Sequence, residues 1–175
     1  MATTQSKTAA AKARSGRTRR TAKRDPLAIS LLKQDHRQVE GWFDEFEQAD
    51  ADTEKTALFQ KIALALKVHT QIEEEIFYAE SRGEVDDDIL DEAYVEHDGA
   101  KKLIADIEAT KPSDEFYDAK VKVLSEYIKH HVKEEEQPGG LFAQAKKSGE
   151  DLEAIGERLK ARKEELMAKM GGKVN

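Results

Sequence analysis

Four of the chain's five histidines each interrupt an apolar helical seam, one in each of four predicted helices, and this pattern constrains the fold more than any other feature. Ile29, Leu32, Val39, Phe43 and Phe46 recur at steps of three and four, the spacing of one helix face, and His36 fills the missing slot. Leu58, Ile62, Ala65, Ile72 and Ile76 keep the same rhythm around His69. Ile89, Ala93, Ala100, Ile104 and Ile107 keep it around His97, and Val121, Leu124 and Ile128 lead into His131. A single histidine on an apolar face is ordinarily a hydrogen-bonded core residue. Four of them each require a buried partner, and leaving one unpaired costs about 1–3 kcal/mol.

Helix punctuation runs through the whole of the chain beyond residue 24. Asp25-Pro26 offers an N-cap with proline in the first turn, and Asp52 opens a second segment reaching Arg82-Gly83. Asp86 to Asp88 open a third that stops before Pro112. Ser113 starts a fourth that "QPGG" at 137–140 ends. "SGED" at 148–151 reads as a capping box for a shorter fifth helix to about Lys169. No segment alternates with period two, so the expected class is all-α.

If the helices run up and down, the four histidines fall within roughly 8 Å of one another along the axis at about 1.5 Å per residue. Two of them bring a carboxylate one turn on: "HTQIE" pairs His69 with Glu73, and "HVKEE" pairs His131 with Glu135. "HRQVE" gives a weaker third pair, His36 with Glu40, because Val39 rather than Glu40 continues that seam. Imidazole supplies nitrogen ligands and carboxylates supply oxygens that can bridge two cations, so the pattern predicts a site for two metal ions. The chain has no cysteine, which removes disulfides, thiolate zinc sites, iron–sulfur clusters and thiol nucleophiles. Its ligands must come from His, Asp, Glu or Tyr.

The series "DHRQVE", "HTQIEEEIFY", "EHDGAKK" and "HHVKEEE" resembles the hemerythrin-like, HHE cation-binding domains in the variant written H, HxxxE, H, HxxxE, over about residues 26–145. The resemblance implies an antiparallel up-down-up-down four-helix bundle around a non-haem di-iron centre, two iron ions joined by an oxo or hydroxo bridge. Carried over by position, the ligands are His36, His69, Glu73, His97, His131 and Glu135, the two glutamates bridging. Seam and family pattern both favour His131 with Glu135 over His130 with Glu134, which leaves His130 at the surface or behind a ligand. Oxygen-carrying hemerythrins have HxxxH on the third helix, where this chain has Lys101. Two six-coordinate metals need about twelve ligand positions, and the residues and bridge fill about ten of them. Tyr127, one turn before His131, either closes one position as a phenolate or packs at the core edge.

These readings order three function classes. The first is a di-iron protein that binds or senses O2, NO or peroxide, with peroxide breakdown as its activity if it is an enzyme. The second is an iron-binding, iron-sensing or storage module without turnover. The third is a stress protein tethered to nucleic acid through its N-terminus. No GxxxxGK, GxGxxG, HExxH or ferritin-like ExxH motif supports other enzyme classes.

The N-terminal segment motivates the third class. Residues 1–24 hold Lys7, Lys12, Arg14, Arg17, Arg19, Arg20, Lys23 and Arg24, no acid and almost no core-forming residue, which predicts a disordered arm. Those eight take their share of the chain's 29 bases, leaving 21 against 36 acids and a folded part near −15. The expected organisation is therefore the arm at 1–24, the bundle at 25–145 and a C-terminal helix and tail at 146–175. The arm suits weak, sequence-independent contact with a phosphate backbone. No apolar run is long enough to span a membrane and no secretory signal opens the chain, so the expected location is the cytoplasm.

Overall fold

The computed structural model describes residues 24–171, so the basic arm, Arg24 apart, lies outside the described residues. Its helices are α1 (Leu27–Gln48), α2 (Asp52–Ile72), α3 (Tyr78–Ser81), α4 (Asp87–Glu108), α5 (Tyr117–Glu136), α6 (Leu141–Ser148) and α7 (Leu152–Gly171). A π-helical turn, Glu73–Phe77, joins α2 to α3 without a break in direction. Among the described residues there is no strand and no helix long and apolar enough to cross a membrane. α1 packs on α2 and α4 on α5 as antiparallel hairpins that form the four-helix bundle, with α7 laid along α1 and α2.

The core falls into two apolar bodies separated by the histidines. At one end Ala28, Ile29 and Leu32 of α1 meet Ile72, Phe77, Leu90, Phe142 and the buried face of α7. At the other end Val39, Phe43 and Phe46 meet Phe59, Ile62, Ile104, Leu124 and Ile128. On α1 the switch from one body to the other comes at His36, on α2 near His69 and on α4 at His97. All four seam histidines are buried. A single polar layer therefore crosses an otherwise hydrophobic interior, at the height expected from counting turns.

Helix starts and one helix differ from expectation. Asp25 does not cap α1: its carboxylate takes Lys33 and Lys146 instead, and Pro26 occupies the cap position. α5 begins at Tyr117 rather than Ser113, because Asp114 accepts a hydrogen bond from the Lys111 backbone N–H and holds the intervening residues in turns. Ser148 ends α6, and Asp151 caps α7 by accepting from the Ala154 N–H at 3.0 Å. α6 itself was not expected, being eight residues long between two glycine-rich turns. Tertiary burial of Leu141, Phe142 and Ala145 holds it in place, and the boundary expected at 145/146 falls inside it.

Two glycines allow these close approaches. A Cβ on Gly140 would stand 2.1 Å from the Glu134 carbonyl oxygen and 2.9 Å from that of Glu135, so only glycine lets the chain fold back under the last turn of α5. A Cβ on Gly156 would stand 2.6 Å from the Ala28 backbone nitrogen, which is how α7 lies so near α1.

Candidate metal centre

The four seam histidines turn their Nε2 atoms toward one another. His36 and His69 bring theirs to 3.0 Å, and His97 and His131 bring theirs to 3.2 Å. Glu73 stands between the two pairs, its Oε2 3.1 Å from His69 Nε2 and 3.4 Å from His97 Nε2. Glu135 does the same for the other two, its Oε2 3.4 Å from His36 Nε2 and 3.7 Å from His131 Nε2. The structure thus brings together all six residues predicted as ligands, in two groups that share Glu73: His36, His69, Glu73 and Glu135, and Glu73, His97 and His131.

This donor set fits a pair of cations. Ligand atoms about 2.1 Å from one ion stand roughly 3.0–3.5 Å apart, the range of most of these separations. The buried Glu73 Oε1 and Glu135 Oε2 have no hydrogen-bond partner. Fully buried carboxylate oxygens without a partner are costly unless a cation meets them.

Behind the donors lies a closed ring of carboxylates. Asp35 of α1 faces the Nδ1 of His69 at 3.5 Å, and Glu74 after α2 faces that of His97 at 3.0 Å. Glu96 of α4 faces the Nδ1 of His131 at 2.6 Å, and Glu136 of α5 faces that of His36 at 2.8 Å, back on α1. Each helix holds the histidine of the next one. A carboxylate on Nδ1 fixes the ring orientation and keeps Nε2 free as the inward donor. Three of the four carry a cation in turn: Lys163 of α7 on Asp35, Lys101 on Glu74 at 2.5 Å, and Arg37 on Glu136 at 2.6 Å. Each ring carboxylate adjoins an inward donor in sequence, as in "DH", "EE" and "EH", but the histidine it serves lies on another helix, so adjacency alone does not mark the ring.

The remaining predicted residues lie elsewhere. Tyr127 is only partly buried and packs at the core edge, its hydroxyl against Gly99, so it is not among the inward donors. Tyr78 takes that place: its hydroxyl donates to Glu135 Oε1 at 2.8 Å and lies 3.2 Å from His97 Nε2. Five residues separate Tyr78 from Glu73, about 140° apart on an α-helical wheel and therefore on different faces. The π-helical turn pairs the Tyr78 N–H with the Glu73 carbonyl and brings both side chains to one side. Glu40 pairs with Arg37 outside the cluster. Lys101 supports Glu74 rather than facing the donors, and His130 lies on the outer side of α5 against Glu96 and Glu134.

Without a cation the buried groups must neutralise one another. Burial pushes the His36 imidazole down to about 4, outweighing Glu136. Burial acts on His69 in the same direction, but Glu73 and Asp35 together raise it to about 10. Burial and the neighbouring Glu73 push Glu135 up to about 8, whereas His69 and His97 hold Glu73 well below the carboxylate range in spite of its own burial. Both raised groups bind a proton more tightly folded than unfolded, so their contribution is lost as pH rises, through about 8 for Glu135 and about 10 for His69. Chelator-stripped protein should therefore lose stability steadily from about pH 6.5 to 9, as Glu135 and then His69 give up those protons. Urea midpoints across that range check it. A flat profile for stripped protein would contradict the electrostatics described here.

A cavity of about 10 Å³, on the order of one water molecule, lies against the four histidines. Its other walls are Val39, Leu66, Ile128 and Val132, with Asp35 and Thr70, and the apolar four belong to the core body on the side of the layer away from Tyr78.

Comparison with known proteins agrees with this architecture. The model of the hemerythrin HHE cation binding domain matches residues 27–138, more than half of the chain. A protein of Nostoc sp. named a DNA nickase is 28% identical over 152 residues, covering 86% of this chain. The chain spans 43% of that relative's length. The crystal structure of a hemerythrin HHE cation binding domain-containing protein from Mycobacterium kansasii matches with a TM-score of 0.67 at 24% identity, over 81% of this chain and 88% of that one. That likeness is one of fold.

Proposed function

Because the chain belongs to the hemerythrin HHE cation-binding domain family, we propose that His36, His69, Glu73, His97, His131 and Glu135 hold two iron ions, and that this pair binds or senses O2, NO or peroxide. The observation that carries the reading is the layer itself: two groups of nitrogen and oxygen donors sharing one carboxylate, with a small apolar cavity at their side. A bound iron pair supplies oxidation-state change and affinity for small oxidants. The rest belongs to the chain. Val39, Leu66, Ile128 and Val132 give the cavity an apolar wall and limit its occupant to a few atoms. The carboxylate ring aims four Nε2 atoms inward. Tyr78 holds its proton, because burial and then Glu135 raise its hydroxyl well above the usual phenol range, and it fixes Glu135 from the opposite side. The test is metal analysis of freshly purified protein with its optical spectrum before and after O2 or peroxide meets the reduced form. About two irons per chain and a change in the near-ultraviolet bands are expected. Iron-free protein from iron-rich medium would overturn the reading.

A second reading concerns the arm. Eight Lys and Arg in residues 1–24 stand beside a remainder near −15, and the Nostoc relative is named a DNA nickase. The proposed role is weak contact with duplex DNA, driven by counterion release and therefore falling steeply with salt. Full-length protein should shift a duplex at low salt without sequence preference, and protein starting at Asp25 should not. Equal behaviour of the two forms removes nucleic acid as a partner.

A further inference from the structure

"HHVKEE" contains its HxxxE pair twice, one residue apart, and the inner centre uses only the second copy. A step of one residue turns a side chain about 100° around the helix, so His130 and Glu134 face outward along α5 as a pair. α4 repeats the offset: Glu96 directly precedes His97. The inner set His97, His131 and Glu135 therefore has a shadow, Glu96, His130 and Glu134, displaced by one position at every member. These three bring one donor atom each to within 4.8 Å of one another. His130 Nε2 stands 3.2 Å from Glu134 Oε1 and 3.6 Å from Glu96 Oε1, separations close to those of ligand atoms sharing one ion.

A second, independent observation points to a missing positive charge at this place. In the carboxylate ring Asp35, Glu74 and Glu136 each have a Lys or Arg partner. Among the described residues neither Glu96 nor Glu134 has one; their ion-pair partners are histidines alone. Glu96 is nine-tenths buried, with Oε2 on His131 and Oε1 turned to the outer pair, while His130 is 58% exposed and leaves the place open to solvent.

We propose that Glu96, His130 and Glu134 form a third cation site, half-exposed and separate from the buried pair, which takes one divalent first-row transition-metal ion. One imidazole and two carboxylates with water completing the shell suit Mn2+, Fe2+ or Zn2+, and the open face makes the ion exchangeable. Glu96 is shared: one oxygen binds the outer ion and the other orients His131. The ion thus supplies in the fourth arm of the ring the positive charge that Lys163, Lys101 and Arg37 supply in the others. The site is independent of which metal fills the buried centre.

Mn2+ titration of the full chain as isolated, followed by loss of the free-ion electron paramagnetic resonance signal, tests this. Wild type should take up one Mn2+ equivalent that His130→Ala and Glu134→Gln each weaken by at least about ten-fold. Both changes lie on the solvent side and leave Glu96 on His131, so the thermal midpoint should stay at the wild-type value. Asp88→Asn, in the acidic start of α4, should leave uptake unchanged. Equal uptake by wild type and both variants overturns the site, as does no uptake by wild type at millimolar Mn2+ or loss of uptake in Asp88→Asn. Protein isolated without iron would count against the iron reading above, and the dependence of uptake on His130 would still decide this one.

Discussion

Replacing His69 with alanine is expected to release the buried cations and to destabilise the fold by about 3–5 kcal/mol, the cost of leaving buried charges without their partner. His69 is engaged on both sides of its ring: Nε2 reaches His36 and Glu73, and Nδ1 faces Asp35. Its removal leaves Glu73, fully buried, with His97 and the Tyr78 hydroxyl near its Oε2 and with Oε1 unpartnered. Because the two donor groups share Glu73, disruption of one weakens the other, so metal content should fall well below the wild-type value rather than by half. Wild type stripped with a chelator should move toward the variant in denaturant melts, and restored metal should recover wild type alone. A variant that keeps full metal content and the wild-type midpoint would falsify the assignment of this layer as the cation site.

The second large effect is expected from α7, which lies beyond the stretch matched by the family model. Protein ending at Gly149 should not fold at room temperature. Leu152, Ile155, Leu159 and Leu166 are buried against α1 and the end of the bundle that holds Phe77 and Phe142. At about 1.5–3 kcal/mol per buried side chain, their loss is comparable to the whole stability of an ordinary domain. Lys163→Met separates the helix's support of the metal centre from its packing: the methylenes remain, but Asp35 loses its ammonium partner and His69 its firm orientation. That variant should fold, melt within a few degrees of wild type and bind metal about ten-fold more weakly. Circular dichroism of the truncation and metal competition on Lys163→Met read the two effects. A truncated chain with wild-type melting would mean that the bundle stands without α7.

The sequence by itself determined the helical class, the four long seams and which six polar residues face inward together, because a period of 3.6 residues assigns each side chain to a face and burial makes a polar residue on an apolar face conspicuous. The same rule failed at Tyr78, whose face depends on a π-helical turn that inserts a residue's worth of rotation and leaves no mark in the apolar spacing. It failed at α6 for a related reason: eight residues are too few to show periodicity, and what holds them helical is burial of Leu141 and Phe142 under chain ends distant in sequence. The carboxylate ring was beyond reach for a stronger reason. Asp35, Glu74, Glu96 and Glu136 adjoin donors in sequence, yet each serves a histidine 23 to 100 positions away, on a neighbouring helix. Sequence periodicity says which residues face inward along one helix. Which inward or flanking group meets which across the bundle is set by helix order and packing angle, and only the tertiary structure fixes those.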